Sequence, residues 1–208
     1  MHILFGSQGS GSAAIEVALR RCSVAYRVVR ASSWEADSAL LELEQINPLR
    51  QIPTLVLPDG TVLTESAAIL IHLGLSYPAS QLLPDDSQAR SQAIRGLVFI
   101  AANCYSAISI SDYPERWTTA DDKVAQEAVR QAARSQLHKH WDIFADTFHG
   151  QPFLSGDQPG ALDILATVVS RWSGARAHLA KQRPEFVELL KRVEAHPSVA
   201  PVFGEHWA

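Results

Sequence analysis

Apolar positions in the first third of the chain switch between two periods. The run "HILF" (residues 2–5) stops at a Gly/Ser cluster, after which Ala14, Ile15, Ala18 and Leu19 recur at helical spacing. This predicts a strand, a tight loop and a helix. "AYRVVRA" (25–31) alternates and is β-branched, and "DSALLELEQI" (37–46) sets Leu40, Leu41 and Leu43 among acids, so a second strand and a second helix follow. In "TLVLPDGTVL" (54–63), Asp59-Gly60 supplies the positive φ angles of a tight turn between antiparallel strands. "TESAAILIHLGLSY" (64–77) then predicts a helix capped by the Thr64 hydroxyl. Residues 1–77 thus spell β-α-β-α-β-β-α.

The pattern changes at "PASQLLPDDSQ" (78–88), a polar stretch with two prolines that reads as a linker. From residue 89 to 208 the spacing is helical with no convincing strand. Four or more helical segments are long enough to pack as a bundle, among them those over 87–109, 119–148, 161–180 and 184–197. The expected organisation is an α/β domain (1–77), a linker (78–88) and an all-α domain (89–208).

Composition narrows the function classes. A chain of 208 residues that is 47% hydrophobic can bury a full core. Its 18 basic and 22 acidic residues, a net charge of −4, form no long block of one sign, so neither nucleic acid nor an anionic membrane is an expected partner. The N-terminus lacks the basic start and apolar run of a secretory signal, and no stretch approaches the roughly 18 apolar residues of a spanning helix, so a cytoplasmic protein is expected. Cys22 and Cys104 lie far apart, in no metal or redox spacing, and read as buried thiols.

"NPLRQIPTLVLPDGTVLTESAAIL" carries the candidate chemistry. Pro53 cannot donate to a ladder. Either it begins a strand in the trans form, or a cis Ile52-Pro53 bond turns the chain and leaves the Ile52 amide and carbonyl free to pair with an extended, peptide-like ligand. Glu65 and Ser66, at the start of a helix, either cap it or form with its amides a pocket for a ligand carboxylate.

The order strand-helix-strand, Ile-Pro before a hairpin, "TESAAIL" on the next helix and an all-helical second half together resemble the glutathione transferase superfamily along essentially the whole chain. The resemblance implies a thioredoxin-like N-terminal domain joined to a helical bundle, a cis Pro53, and glutathione as co-substrate. Gln51, Ile52 and Pro53 would hold its cysteinyl part and Glu65 and Ser66 its γ-glutamyl end. It also implies a homodimer in which the N-terminal domain packs on its partner's helices. In "FLSGDQPGALDILA" (153–166), Gly160 stands at the superfamily's helix-cap position and Asp163 at its acid, a structural pair.

Such an enzyme must stabilise a thiolate, because an ordinary thiol, with a pKa of about 8.5, is mostly protonated at neutral pH. A hydroxyl donor beside a helix N-terminus does this. The loop "GSQGSGSAA" offers Ser7, Ser10 and Ser12, either as that donor or only as helix caps. By resemblance to bacterial beta-class enzymes Ser12 is the first candidate; Ser10, near the start of the helix, is the second. Gly11 falls at the position of their reactive Cys, which argues against a mixed disulfide. The loop lacks the Lys of a phosphate-binding loop and the dinucleotide glycine pattern. His72, His138 and His140 sit in no Cys/His/carboxylate cluster, so no metal is expected.

A small, partly apolar electrophile, which the glutathione thiolate would attack, reduce or isomerise, is the expected second substrate, in a pocket between the domains walled by Phe99, Asn103, Tyr105 and Trp117. By the same resemblance Tyr105 stands about where a His is often found, and Ser106 replaces a basic neighbour. The competing class is a non-catalytic binding or regulatory scaffold on the same fold. The two differ in whether a hydroxyl faces the bound sulfur.

Overall fold

The computed structural model describes residues 1–208. The N-terminal part runs β1 (His2–Gly6), α1 (Ser12–Arg21), β2 (Tyr26–Arg30), α2 (Leu40–Ile46), β3 (Thr54–Val56), β4 (Val62–Leu63) and α3 (Ser66–Ser76). The sheet order is β2-β1-β3-β4. β1 pairs in parallel with β2 (Leu4 opposite Val28), which needs the α1 crossover, and antiparallel with β3 (Leu4 opposite Leu55). The β3–β4 hairpin turns at Gly60 (φ +87°), where the Asp59 carboxylate accepts the Thr61 N–H at 2.9 Å. The α/β-then-helical architecture of the sequence reading is present.

The helical part contains α4 (Ser87–Phe99), a π-helical turn (Ile100–Tyr105), α5 (Ser106–Asp112), α6 (Lys123–Thr147), α7 (Ala161–Val169), α8 (Ala175–Gln182), α9 (Pro184–Ala195) and α10 (Ala200–Trp207). Asp86 and Asp122 cap α4 and α6, accepting Ala89 N–H and Ala125 N–H at 2.8 Å each. Three expectations need correction. The 161–180 segment is two helices, because Ser173 (φ +53°) and Gly174 (φ +77°) take left-handed conformations between them. The α3 cap is Glu65 rather than Thr64, and its side chain caps nothing. Residues 87–112 form one continuous helix, long and apolar enough to cross a membrane, yet its apolar positions Leu97, Ile100, Cys104 and Ala107 belong to the buried core.

One hydrophobic core spans both parts: Leu4, Ile15, Leu19 and Ile69 from the first are continuous with Leu97, Trp141, Leu165 and Leu190 from the second. Backbone ties reinforce the junction. The Arg21 guanidinium donates to the carbonyls of Pro159, Ser80 (2.6 Å) and Gln81 (3.2 Å), and Ala161 N–H donates to Leu82 O at 2.7 Å. At the start of α7 the fully buried Asp163 carboxylate accepts N–H groups of Leu154 (2.6 Å), Ser155 (3.0 Å) and Gly160 (3.0 Å). Gly160 is the cap and supplies only backbone. The cleft between sheet and bundle is therefore held by fixed walls.

Candidate functional site

A cavity of about 770 Å³ opens between the ends of β1 and β3, the start of α3 and the α4–α5 helix. Its floor is backbone. The Ile52-Pro53 bond is cis, and neither the N–H nor the C=O of Ile52 has a hydrogen-bond partner within the chain. The preceding loop is anchored from beneath. Buried Asn47 donates from Nδ2 to Gln51 O (3.0 Å) and Thr54 Oγ1 (2.9 Å), and Thr54 Oγ1 donates to Gln51 O (2.9 Å). These two side chains escaped the sequence reading, although "NP" is a turn signal that accounts for the Asn47 Oδ1 to Leu49 N–H bond of 3.1 Å.

On the adjacent wall Glu65 holds φ +65°, ψ +113°, a conformation that side-chain-bearing residues rarely occupy. The kink sets the exposed Glu65 carboxylate and the buried Ser66 at the first turn of α3, whose amides have no intrahelical acceptors. Gln51, Ile52, Pro53, Glu65 and Ser66 all line this one cavity, with Thr64 and Arg50 beside them. A strip of unpaired backbone next to a helix N-terminus suits an extended, amide-containing anion.

The loop serines divide differently from expectation. Ser12 is fully buried and absent from the cavity lining. Its Oγ accepts Ser7 N–H (3.2 Å), lies 3.1 Å from Ser7 O and contacts Ser10 Oγ at 2.9 Å. A side chain at Gly6 would overlap it, an ideal Cβ there falling 2.5 Å from Ser12 Oγ, so Ser12 braces the loop against the end of β1. Ser10 lines the cavity, but its hydroxyl donates inward to Ser7 O at 2.7 Å and accepts Ser12 N–H at 3.2 Å. Ser7 is buried away from the cavity.

The α4–α5 wall also corrects the sequence reading. Tyr105 and Trp117 line the cavity; Phe99 and Asn103 do not. Ala101, Tyr105, Ser109 and Asp112 share the face toward the cleft, and positions two residues off that series turn to the opposite side of a helix. Phe99 instead packs on Phe144 (5.9 Å between ring centres) and Phe148 (6.2 Å), and Asn103 Nδ2 donates to Phe99 O at 3.0 Å. The remaining lining, missed earlier, includes Trp34, Leu49, Tyr113, Arg116 and Trp172. Trp34, Leu49 and Trp117 are each more than half exposed at the rim, and the Arg116 guanidinium stacks 4.0 Å from the Tyr113 ring centre. Burial pushes the Asp112 carboxyl above its usual range, against the pull of Arg134 and Arg130. The cavity thus has a polar backbone end and an aromatic end.

Residues 12–75 match the family described as glutathione S-transferase, N-terminal domain. The chain is 28% identical over 209 residues to an uncharacterized GST-like protein, YncG, of Escherichia coli K12, covering 92% of this chain and 98% of that one. It is 26% identical over 203 residues to the glutathione S-transferase GstA of Escherichia coli O157:H7, covering 94% of each. Among solved structures, a glutathione transferase homolog from Sulfitobacter with bound glutathione superposes with a TM-score of 0.85 at 23% identity, covering 99% of this chain and 98% of that chain.

Proposed function

The chain belongs to the glutathione S-transferase superfamily, and on that premise we propose that it binds glutathione along Ile52 and presents it as a thiolate to a small, partly apolar electrophile. One observation carries the reading: the unpaired Ile52 N–H and C=O and the Glu65-Ser66 corner open into the same cavity. The Ile52 groups suit the cysteinyl amides, and the start of α3 suits the γ-glutamyl carboxylate. The homolog from Sulfitobacter, which shares the fold, was solved with bound glutathione, and this supports glutathione as the ligand.

The aromatic end, with Trp117, Tyr113 and Trp172, suits an apolar electrophile. Substitution at an activated aryl halide, followed by the absorbance of the thioether, tests the reaction: glutathione-dependent turnover supports it, and a rate equal to the uncatalysed one contradicts it. A homodimer and a cytoplasmic location belong to the same reading, both supported by superfamily membership. Light scattering on such a dimer gives twice the 22.8 kDa of one chain.

A further inference from the structure

We propose that the hydroxyl that holds the glutathione sulfur as a thiolate is that of Tyr105, delivered from the helical domain into the space that a side chain at Gly11 would otherwise fill. The inference rests on the reading that this cavity binds glutathione. Its evidence is the convergence of three elements on one point. An ideal Cβ at Gly11, the residue that opens α1, falls 2.6 Å from Tyr105 Oη, 3.4 Å from Pro53 Cδ and 3.5 Å from Ser66 Oγ. The phenol oxygen therefore sits where the start of α1, the Ile52-Pro53 strip and the start of α3 meet. A contact of 2.6 Å excludes any side chain at residue 11 while the phenol stays, so Gly11 and Tyr105 form a complementary pair.

Hydroxyl bookkeeping selects Tyr105 over Ser10 and Ser12, while Ser7, whose hydroxyl has no partner, is buried away from the cavity. A hydroxyl carries one proton. Ser10 directs its own to Ser7 O at 2.7 Å, and Ser12 has partners only within the loop, Ser7 O and Ser10 Oγ. Tyr105 Oη has one partner, Ser66 Oγ, at a long 3.4 Å, and with Ser66 as the donor of that contact the Tyr105 proton is available to a ligand. The ring is held by Trp172, 5.9 Å between centres, and leaves the helix at the last residue of the π-helical turn, a departure from α geometry common at functional sites. Burial pushes the phenol up to about 12, so it remains protonated at neutral pH and acts as a donor rather than a base.

In the reaction the glutathione thiol loses its proton to solvent, and the Tyr105 O–H donates a hydrogen bond to the resulting thiolate. A sulfur lone pair then forms the C–S bond to the aryl carbon while halide leaves with its bonding pair. Tyr105 keeps its proton throughout. No cysteine of the chain enters the step: Cys104 is buried beside Tyr105 and Cys22 lies outside the cavity lining.

The test is the ultraviolet titration of the thiolate of bound glutathione in the intact protein and in Tyr105→Phe, with calorimetric affinity measured on both. The expected result is binding within about threefold of wild type, a bound-thiol pKa about one unit higher, and a correspondingly tenfold lower kcat/KM below that pKa that converges with wild type at alkaline pH. Adding Gly11→Ser to Tyr105→Phe places a hydroxyl in the vacated volume and should recover part of the shift, which a purely structural role for the ring would not produce. Wild-type protein that binds no glutathione overturns the cavity reading and this assignment with it. Binding in both proteins with superimposable thiolate titrations overturns Tyr105 alone.

Discussion

His206 Nε2 lies 2.8 Å from Glu16 Oε1, with both side chains more than nine-tenths buried. The other ring nitrogen, Nδ1, accepts Gly9 N–H at 3.2 Å, so the ring carries its proton on Nε2 and donates it to Glu16. Helix α10 thereby grips α1 and the cavity-lining loop at once. Gln8 Nε2, donating to Glu205 O at 2.8 Å, and the Arg20–Glu205 pair at 2.6 Å extend the grip across the surface.

His206→Ala leaves a buried carboxylate and a loop amide without their partner. We expect a loss of about 3 kcal/mol in urea unfolding, because breaking one side of a buried polar pair costs several times what a surface pair contributes. His206→Gln, which can accept from Gly9 and donate to Glu16, should recover most of it. A loss below about 1 kcal/mol for the alanine variant would show that the loop does not depend on α10.

The alkaline limb of the tyrosine titration should isolate Tyr105. Burial raises its phenol from the ordinary 10 to about 12. An acid with a raised folded pKa binds its proton more tightly in the folded chain, so its contribution to stability is complete below pH 10 and is lost as pH rises toward 12. Tyr105→Phe should remove the latest phenolate step and leave the earlier absorbance change in place. Superimposable high-pH titrations of the two proteins would contradict the burial argument.

Both thiols should be inert toward disulfide exchange in the folded protein. Burial pushes the Cys104 thiol up to about 12 and raises that of Cys22 as well, and only the thiolate exchanges. Intact-mass measurement after incubation with oxidised glutathione at neutral pH should show the unmodified chain, whereas denaturation in urea before incubation should yield adducts. An adduct on the folded protein would place a reactive thiol where the structure has none.

How far the sequence could be read depended on whether a feature is local. The β3–β4 turn is a property of Asp59-Gly60 alone and was legible from those residues, whereas the Gly160–Asp163 pair was legible through resemblance to the superfamily's helix-start motif. Ile52-Pro53 and Glu65-Ser66 lie within one stretch of chain, but the residues alone left a structural and a ligand-binding reading open, and the resemblance pointed to the second. The direction of the serines was not legible. Whether Ser12 faces ligand or core depends on Gly6, on Ser7 and on the close packing of the β1–α1 loop, contacts that periodicity does not encode. Phe99 and Asn103 could have been separated from Tyr105 by counting around the helix, since a shift of two residues crosses to the far side. Helix α10 was missed because it has only eight residues and contains Pro201 and Gly204, two residues that signal turns. The meeting of Tyr105 with Gly11 joins residues 94 positions apart, which only the fold brings together.

The central claim is that the Ile52 strip and the Glu65-Ser66 corner form a glutathione site, and calorimetric titration of the full chain with glutathione tests it most directly. Glu65 is exposed and already in a conformation as unfavourable for Ala as for Glu, so Glu65→Ala should fold within about 0.5 kcal/mol of wild type. The account predicts saturable binding at one site per chain, weakened more than tenfold in Glu65→Ala. Absence of binding heat across the titration, or equal affinity in the two proteins, would contradict it.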